Sequence, residues 1–311
     1  MPSIQHNLLK LSLNGFSFSL PLRGSDVGKL RAVLDFSALW SMLPWGVHFK
    51  PFHIGGLKAE WLIPNRADKS KVLLYLHGGG YALGSSHTHR SMVGQIAKIT
   101  GLPALLIGYR KIPESPFPAA LDDAVSAYEW LLKQGYNGCD ILLGGDSAGG
   151  GLAISMQLVL KSKCLPLPAG TVCFSPWTDL AVTGSSVKKN ESKDPLVRVD
   201  KMKKWGEMYA AHRLLNNPLI SPLYGDLRGL SPILIQVSKD EILYDDSVRM
   251  ALAAQKAGVK VTLQEWKGLI HWWHIFWRII PEAEEALDKL KSLKAYGIKL
   301  GEEPVSEALT S

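Results

Sequence analysis

The sequence predicts an α/β fold of one domain, a mainly parallel sheet flanked by helices, and three observations carry that expectation. Short apolar runs of strand length alternate with helix-period stretches along most of the 311 residues. Hydrophobic residues make up 46% of the chain, enough to bury one large core. Two of the apolar runs lead straight into glycine-rich turns, at 76–81 and 143–151, where a chain must bend sharply from strand to helix.

Strand-like runs lie at 58–63, 72–76, 104–109, 141–143, 171–174 and 233–237, separated by helical stretches. The helix starting near Ala119 shows the longer period. Leu121, Val125, Tyr128, Leu131 and Leu132 recur along it, and Asp122 and Asp123 lie early, where a helix N-terminus favours negative charge. Residues 259–266 alternate in strand fashion and are expected to end the sheet, as an edge where a second subunit can pair. Two stretches stand outside this repeat. The first runs to about residue 50, with Leu30, Val33, Leu34, Phe36, Leu39, Trp40 and Leu43 at roughly helical intervals; the second, 182–217, is lysine-rich and turns helical through Met202, Trp205, Met208 and Tyr209.

Chemistry enters with Gly145-Asp146-Ser147-Ala148-Gly149, a Gly-x-Ser-x-Gly pentapeptide between the run 141–143 and a helical segment. Glycine on both sides lets the backbone turn tightly and pushes the Ser147 hydroxyl out above the sheet, where a nucleophile belongs. Alone, the pentapeptide suits a helix-capping serine as well. The box His77-Gly78-Gly79-Gly80-Tyr81 follows the run 72–76 and offers what a nucleophile lacks, backbone N–H groups to stabilise the oxyanion of an attacked carbonyl. The expected donors are Gly78, Gly79 and Ala148, with His77 fixing the loop by hydrogen bonds.

A serine hydroxyl also needs a base. His271 is favoured because it opens a loop just after the strand-like 259–266; His274 falls a turn into the next helical stretch, where a packed histidine is expected. The acid that orients it is expected between Ser147 and His271, since chain order on such a sheet is serine, acid, histidine. Residues 232–247 offer four carboxylates. Asp245 and Asp246 lead a helix, which capping and dipole compensation explain, so Asp240 and Glu241 both remain.

Taken together, the motifs resemble the hormone-sensitive lipase family of α/β-hydrolase esterases. The His-Gly-Gly-Gly box, the Gly-Asp-Ser-Ala-Gly-Gly turn and Tyr109-Arg110-Lys111-Ile112-Pro113-Glu114-Ser115-Pro116-Phe117-Pro118-Ala119-Ala120 match it in order and approximate spacing, over about 57–281. The resemblance implies an α/β-hydrolase fold and hydrolysis of short- to medium-chain carboxylic esters through an acyl-enzyme. No metal or organic cofactor is expected. Residues 1–50 and 182–217 are implied to cap the site, and the last strand to support a homodimer. The family's acid is usually an Asp followed by Pro-Leu, one further residue and a second acidic position. Laid on Glu241-Ile242-Leu243-Tyr244-Asp245, this pattern selects Glu241 over Asp240, with Glu in place of the commoner Asp. An amidase or a lactone hydrolase would share the constellation. So would a hydrolase-fold binding protein without turnover, although receptors of that kind lack the histidine that His271 supplies.

Composition narrows the partners further. The net charge of +7 raises nucleic acid or an anionic membrane, yet the densest clusters, Lys188-Lys189 and Lys201 with Lys203-Lys204, read as a solvated helix face. Neither a nucleic-acid-binding signature nor a nucleotide-binding glycine fingerprint is present. No run approaches the roughly 18 apolar residues of a membrane span. The start of the chain lacks a signal peptide's basic region, and Cys139, Cys164 and Cys173 have no metal-ligand spacing, so a cytoplasmic protein with reduced thiols is expected. Trp266, Trp272, Trp273, Phe276 and Trp277, bunched around the histidine, are expected in the core rather than on a pocket wall.

Overall fold

The computed structural model describes residues 2–15, 24–38 and 42–295. Its strands are β1 (Val47–Ile54), β2 (Leu57–Pro64), β3 (Val72–Leu76), β4 (Ala104–Gly108), β5 (Ile141–Asp146), β6 (Gly170–Phe174), β7 (Ile233–Ser238) and β8 (Val261–Trp266). The helices are α1 (Ile4–Gly15), α2 (Gly24–Ala38), α3 (Ser86–Thr100), α4 (Ala119–Lys133), α5 (Ala148–Ser162), α6 (Ser185–Lys189), α7 (Val199–Ala210), α8 (Tyr244–Lys256), α9 (Pro281–Asp288) and α10 (Lys291–Ala295). One sheet takes all eight strands, in the order β1-β2-β4-β3-β5-β6-β7-β8. The pairs β1 with β2 and β2 with β4 are antiparallel; the rest are parallel, as the α/β expectation requires.

Side-chain alternation sorts the core into two layers. Val72, Leu74 and Leu76 join Leu105, Ile107, Ile141 and Leu143 against α4 and α5, while Leu73, Tyr75, Ala104, Leu106 and Leu142 pack against α3. Strands buried on both faces read as continuous apolar runs, which is why they were legible. The order reverses around β3, whose successor β4 lies on one side and β5 on the other. Loops leaving the carboxyl ends of β3 and β5 therefore diverge over a crevice, where open α/β sheets place their ligands.

Strand β1 departs from expectation. Its first residues, 47–50, fall in the stretch assigned to a cap, yet Val47 pairs with Pro64 and Lys50 with Trp61 at the sheet's edge. Most of this strand is exposed and Pro51 sits within it, as an edge strand tolerates, so its apolar residues do not mark it as a core strand. Of the helical-interval residues before it, Leu39 and Trp40 lie outside the described residues. The helical stretch expected after His271 is only a 3-10 turn, Trp273–Phe276, before α9 begins at Pro281. Among the described residues, no helix is long and apolar enough to cross a membrane.

Candidate active site

Ser147 stands where β5 ends and α5 begins, with φ 50° and ψ −122°. A non-glycine residue in this region is strained, and packing must hold it there. The elbow is locked by close approach. A Cβ on Gly145 would lie 2.4 Å from the Gly149 carbonyl oxygen, and one on Gly149 only 2.0 Å from that of Leu76. Both flanking glycines are thus demanded by contact between α5 and the strands beneath it.

Ser147 opens into a cavity of about 210 Å³ whose walls include Gly79, Gly80, His89, Asp146, Trp177, His271 and Trp272. His271 is 4% exposed, and its Nδ1 lies 3.1 Å from Oε1 of the fully buried Glu241. The other Glu241 oxygen accepts from the Ser175 hydroxyl at 2.8 Å and the Ser238 N–H at 3.1 Å. Burial pushes the Glu241 carboxyl up, against the pull of its bond to His271. His271 is raised overall: burial opposes its charged form, but the Glu241 hydrogen bond and the charges of Glu241, Asp194 and Asp146 together outweigh burial. Asp240 lies elsewhere. It pairs with Lys193 at 3.1 Å and accepts the Gly268 N–H at 2.7 Å. His274 is packed, as expected, with Nε2 3.0 Å from Gln236 Oε1 and burial holding it well below the usual histidine range.

The chain matches the family described by the α/β-hydrolase fold over residues 73–275. It is 44% identical over 235 residues to a Streptomyces hygroscopicus protein named acetyl-hydrolase, covering 76% of this chain and 78% of that one. An ethyl acetate hydrolase of Pseudomonas putida is 35% identical over 226 residues, 70% of each chain. Among solved structures, an esterase from the bacterial hormone-sensitive lipase family superimposes with a TM-score of 0.90 at 36% identity, covering 96% of this chain and all of the other. The chain belongs to the hormone-sensitive lipase family of α/β-hydrolase esterases. It is a carboxylic ester hydrolase, and the serine triad and acyl-enzyme are general for its fold.

In this esterase the loop after β3 is braced by the stretch after β4. Tyr109 donates its hydroxyl to the His77 carbonyl at 2.6 Å, Lys111 Nζ donates to the Gly84 carbonyl at 2.7 Å, and Ile112 N–H to that of Tyr81 at 3.0 Å. Burial pushes the Lys111 ammonium down to about 8. His77 stacks on Tyr109 with ring centres 4.2 Å apart, and its Nδ1 meets the Gly78 carbonyl at 2.8 Å, so it does fix the loop. Gly78 requires a correction. Its N–H donates to His89 Nε2 at 3.2 Å and is not free to meet an oxyanion. Gly79 and Gly80, not Gly78, line the cavity.

Asp245 and Asp246 also depart from simple capping of α8. Asp245 accepts from the Ser185 hydroxyl and the Ser186 N–H, at the start of α6. Asp246 accepts the N–H groups of Thr178 and Asp179, both at 2.8 Å, while burial and then the Asp179 charge push it up to about 8. Among the crowded aromatics, only Trp272 reaches the cavity; Trp273 is fully buried against His274, and Trp266, Phe276 and Trp277 pack on the core.

Sequence reasoning passed over His89, Ser175, Asn190 and Asp194. His89 lies on α3, near both the glycine loop and Asp146. The others touch the acid or its turn from segments far along the chain, and no local pattern marks them. Cys139 and Cys164 are exposed free thiols and Cys173 is buried. No group of His, Cys, Asp or Glu among the described residues is arranged to hold a metal.

Proposed function

We propose that Ser147, His271 and Glu241 are the nucleophile, base and acid of an esterase for short-acyl carboxylic esters. The carrying observation is the buried contact between His271 and Glu241, on the wall of the cavity into which Ser147 opens. The N–H groups of Gly79, Gly80 and Ala148 receive the substrate's carbonyl oxygen. Ala148 opens α5, where a helix leaves its first N–H groups unpaired and favours negative charge.

Attack by Ser147 Oγ forms the new C–O bond as its proton passes to His271 Nε2, and the carbonyl electron pair moves onto the oxygen held by the three donors. Collapse of that adduct expels the alcohol, which leaves with the proton from His271. Water then attacks the acyl-enzyme by the same route, releasing the acid and restoring Ser147. Throughout, Glu241 holds Nδ1–H, which keeps Nε2 turned to the reacting atoms and stabilises the imidazolium.

The relatives named acetyl-hydrolase and ethyl acetate hydrolase support short acyl groups. Leu30 and Leu34 of α2, and Met202 and Trp205 of α7, form the cavity's outer wall, which supports a cap built from both stretches outside the sheet. Strand β8 ends the sheet and supports a homodimer through that edge; a monomer mass by light scattering would refute it. Free Cys139 and Cys164 support a cytoplasmic setting, which cell fractionation checks.

A fluorophosphonate probe tests the core assignment. It should label the protein, and the label should vanish in Ser147→Ala; an unlabelled folded protein overturns the nucleophile. Rates on acetyl, butyryl, octanoyl and palmitoyl p-nitrophenyl esters should peak at acetyl or butyryl, and a palmitoyl maximum would sink the short-acyl reading.

A further inference from the structure

A second carboxylate lies buried behind the Glu241–His271 pair. Asp194 is 5% exposed and belongs to the loop between α6 and α7, outside the sheet. Its Oδ2 accepts the N–H of Ile242, the residue after Glu241, at 3.3 Å. Its Oδ1 accepts the N–H groups of Leu196 at 3.0 Å and Val197 at 3.4 Å, and both of these residues line the cavity. Four positions earlier, Asn190 Nδ2 donates to the main-chain oxygens of Glu241 at 2.9 Å and Lys239 at 3.0 Å. One loop therefore holds the acid's turn on both sides of Glu241 and forms part of the substrate wall.

The charge matters as much as the grip. All three donors to Asp194 are backbone N–H groups, which favour the carboxylate without cancelling its net charge. Burial pushes Asp194 up, and attraction to His271 pulls it back. Three carboxylates from three elements, Glu241, Asp194 and Asp146, bear on the His271 imidazole; His274 lies close enough to interact with it, and His89, Arg198 and Lys201 stand on the cavity wall. In a poorly screened interior, a second negative charge stabilises the imidazolium that forms when Ser147 gives up its proton.

We propose that Asp194 is a positioning residue for the esterase reaction: it fixes the turn that presents Glu241, sets a second negative charge behind His271, and ties both to the pocket wall at Leu196 and Val197. This rests on Glu241 and His271 being the acid and base.

Asp194→Asn removes the charge at nearly constant volume. Without that charge the imidazolium is less favoured, so the acid-side midpoint of kcat/KM should fall by at least about half a pH unit. The kcat should drop roughly tenfold while KM stays within about twofold. Asp194→Glu keeps the charge but misplaces it, so kcat should fall with the midpoint held. A merely structural anchor would reduce the fraction of sites a fluorophosphonate titrates and leave the midpoint alone. An unmoved midpoint in Asp194→Asn overturns the inference. If that variant does not fold, carbon-13 NMR of the Asp194 carboxyl in the parent enzyme decides: ionised at the pH of full activity supports the role, and neutral overturns it. Glu241→Gln separates the two layers. Full activity there would sink the triad itself, whereas an inactive Glu241→Gln beside an unmoved Asp194→Asn midpoint would sink only the part given to Asp194.

Discussion

His271 and His89 both line one cavity, each buried, each with a ring nitrogen close to a carboxylate oxygen: 3.1 Å to Glu241 and 3.2 Å to Asp146. Distance to an acid does not tell them apart. The remaining nitrogen does. His89 has Nδ1 at 2.8 Å from Thr88 Oγ1 and 3.2 Å from the Ser85 carbonyl, while its Nε2 also accepts the Gly78 N–H. Both of its nitrogens are engaged by the protein. For His271, Nδ1 meets Glu241, and Nε2 is the nitrogen proposed to carry the proton in transit. A histidine beside a carboxylate is thus suited to act as a base or as a clamp, according to how many of its nitrogens the fold has already used, and this is what supports the role proposed for His271.

The most forceful way to break this contrast is to remove each ring. His271→Ala should lower kcat by about 10⁴-fold or more, since loss of the base disables the serine. His89→Leu should cost only about 10- to 100-fold, because it loosens the oxyanion loop and leaves the donors in place. Equal losses in steady-state kinetics would erase the distinction. Glu241→Gln comes next, with an expected loss of about 10³- to 10⁴-fold in kcat, as an amide disfavours the tautomer the base needs. If Asp240→Asn causes that loss instead, the acid has been misassigned by one residue.

The effect at His89 can be sharpened by what it changes. A clamp on the Gly78 peptide acts mainly on the transition state, so His89→Leu should lower kcat at nearly constant KM and weaken a boronate transition-state analogue in proportion. His89→Asn, which keeps a hydrogen-bonding side chain, should recover part of that loss. A rise in KM with kcat unchanged would place His89 in substrate binding instead.

These contacts also show why some parts of the site could be read from sequence and others could not. The Ser147 elbow announces itself because close contacts with the backbone of Gly149 and Leu76 leave room only for glycine at 145 and 149, two residues to either side of the serine. His271 follows directly on a strand with clear alternation. Glu241 needed the family pattern as well, since nothing local separates it from Asp240. Gly78 reads as a donor in the sequence because glycine content says that a loop can approach a substrate, not where each N–H points. That direction is set by His89, which reaches Asp146 across a separation of 57 residues. Asp194 meets Ile242 across 48. Edge strand β1 is hard to read for the opposite reason: most of it is exposed, and Pro51 breaks the alternation that Val47 and Phe49 begin.

A milder test is the pH profile of the parent enzyme. As the proposed base, His271 must be neutral to accept the Ser147 proton, and its pKa is raised above the ordinary 6.5. Protonation therefore sets in from the acid side at a higher pH than for a free imidazole. The kcat/KM for a neutral ester should fall as pH drops through a midpoint above 6.5, and Glu241→Gln should move whatever limb remains to lower pH. A midpoint well below 6.5 in the parent would mean that burial, not Glu241, governs the base.

The smallest expected effect on activity concerns His274, three residues from His271 and just as buried. Its Nε2 meets Gln236 Oε1, and Gln236 in turn donates to Gln264 Oε1 and the Ala286 carbonyl, both at 2.8 Å, so the ring links the turn after His271 to β7, β8 and α9. Phe174 and Trp273 enclose it. Nothing in that set touches the cavity. His274→Leu should therefore leave kcat/KM within about threefold, yet lower the stability by roughly 1 to 3 kcal/mol, because Gln236 Oε1 loses a buried partner. Thermal unfolding beside ester kinetics checks both halves. A loss of activity comparable to that of His271→Ala, at unchanged Tm, would mean that the wrong histidine of the pair has been taken for the base.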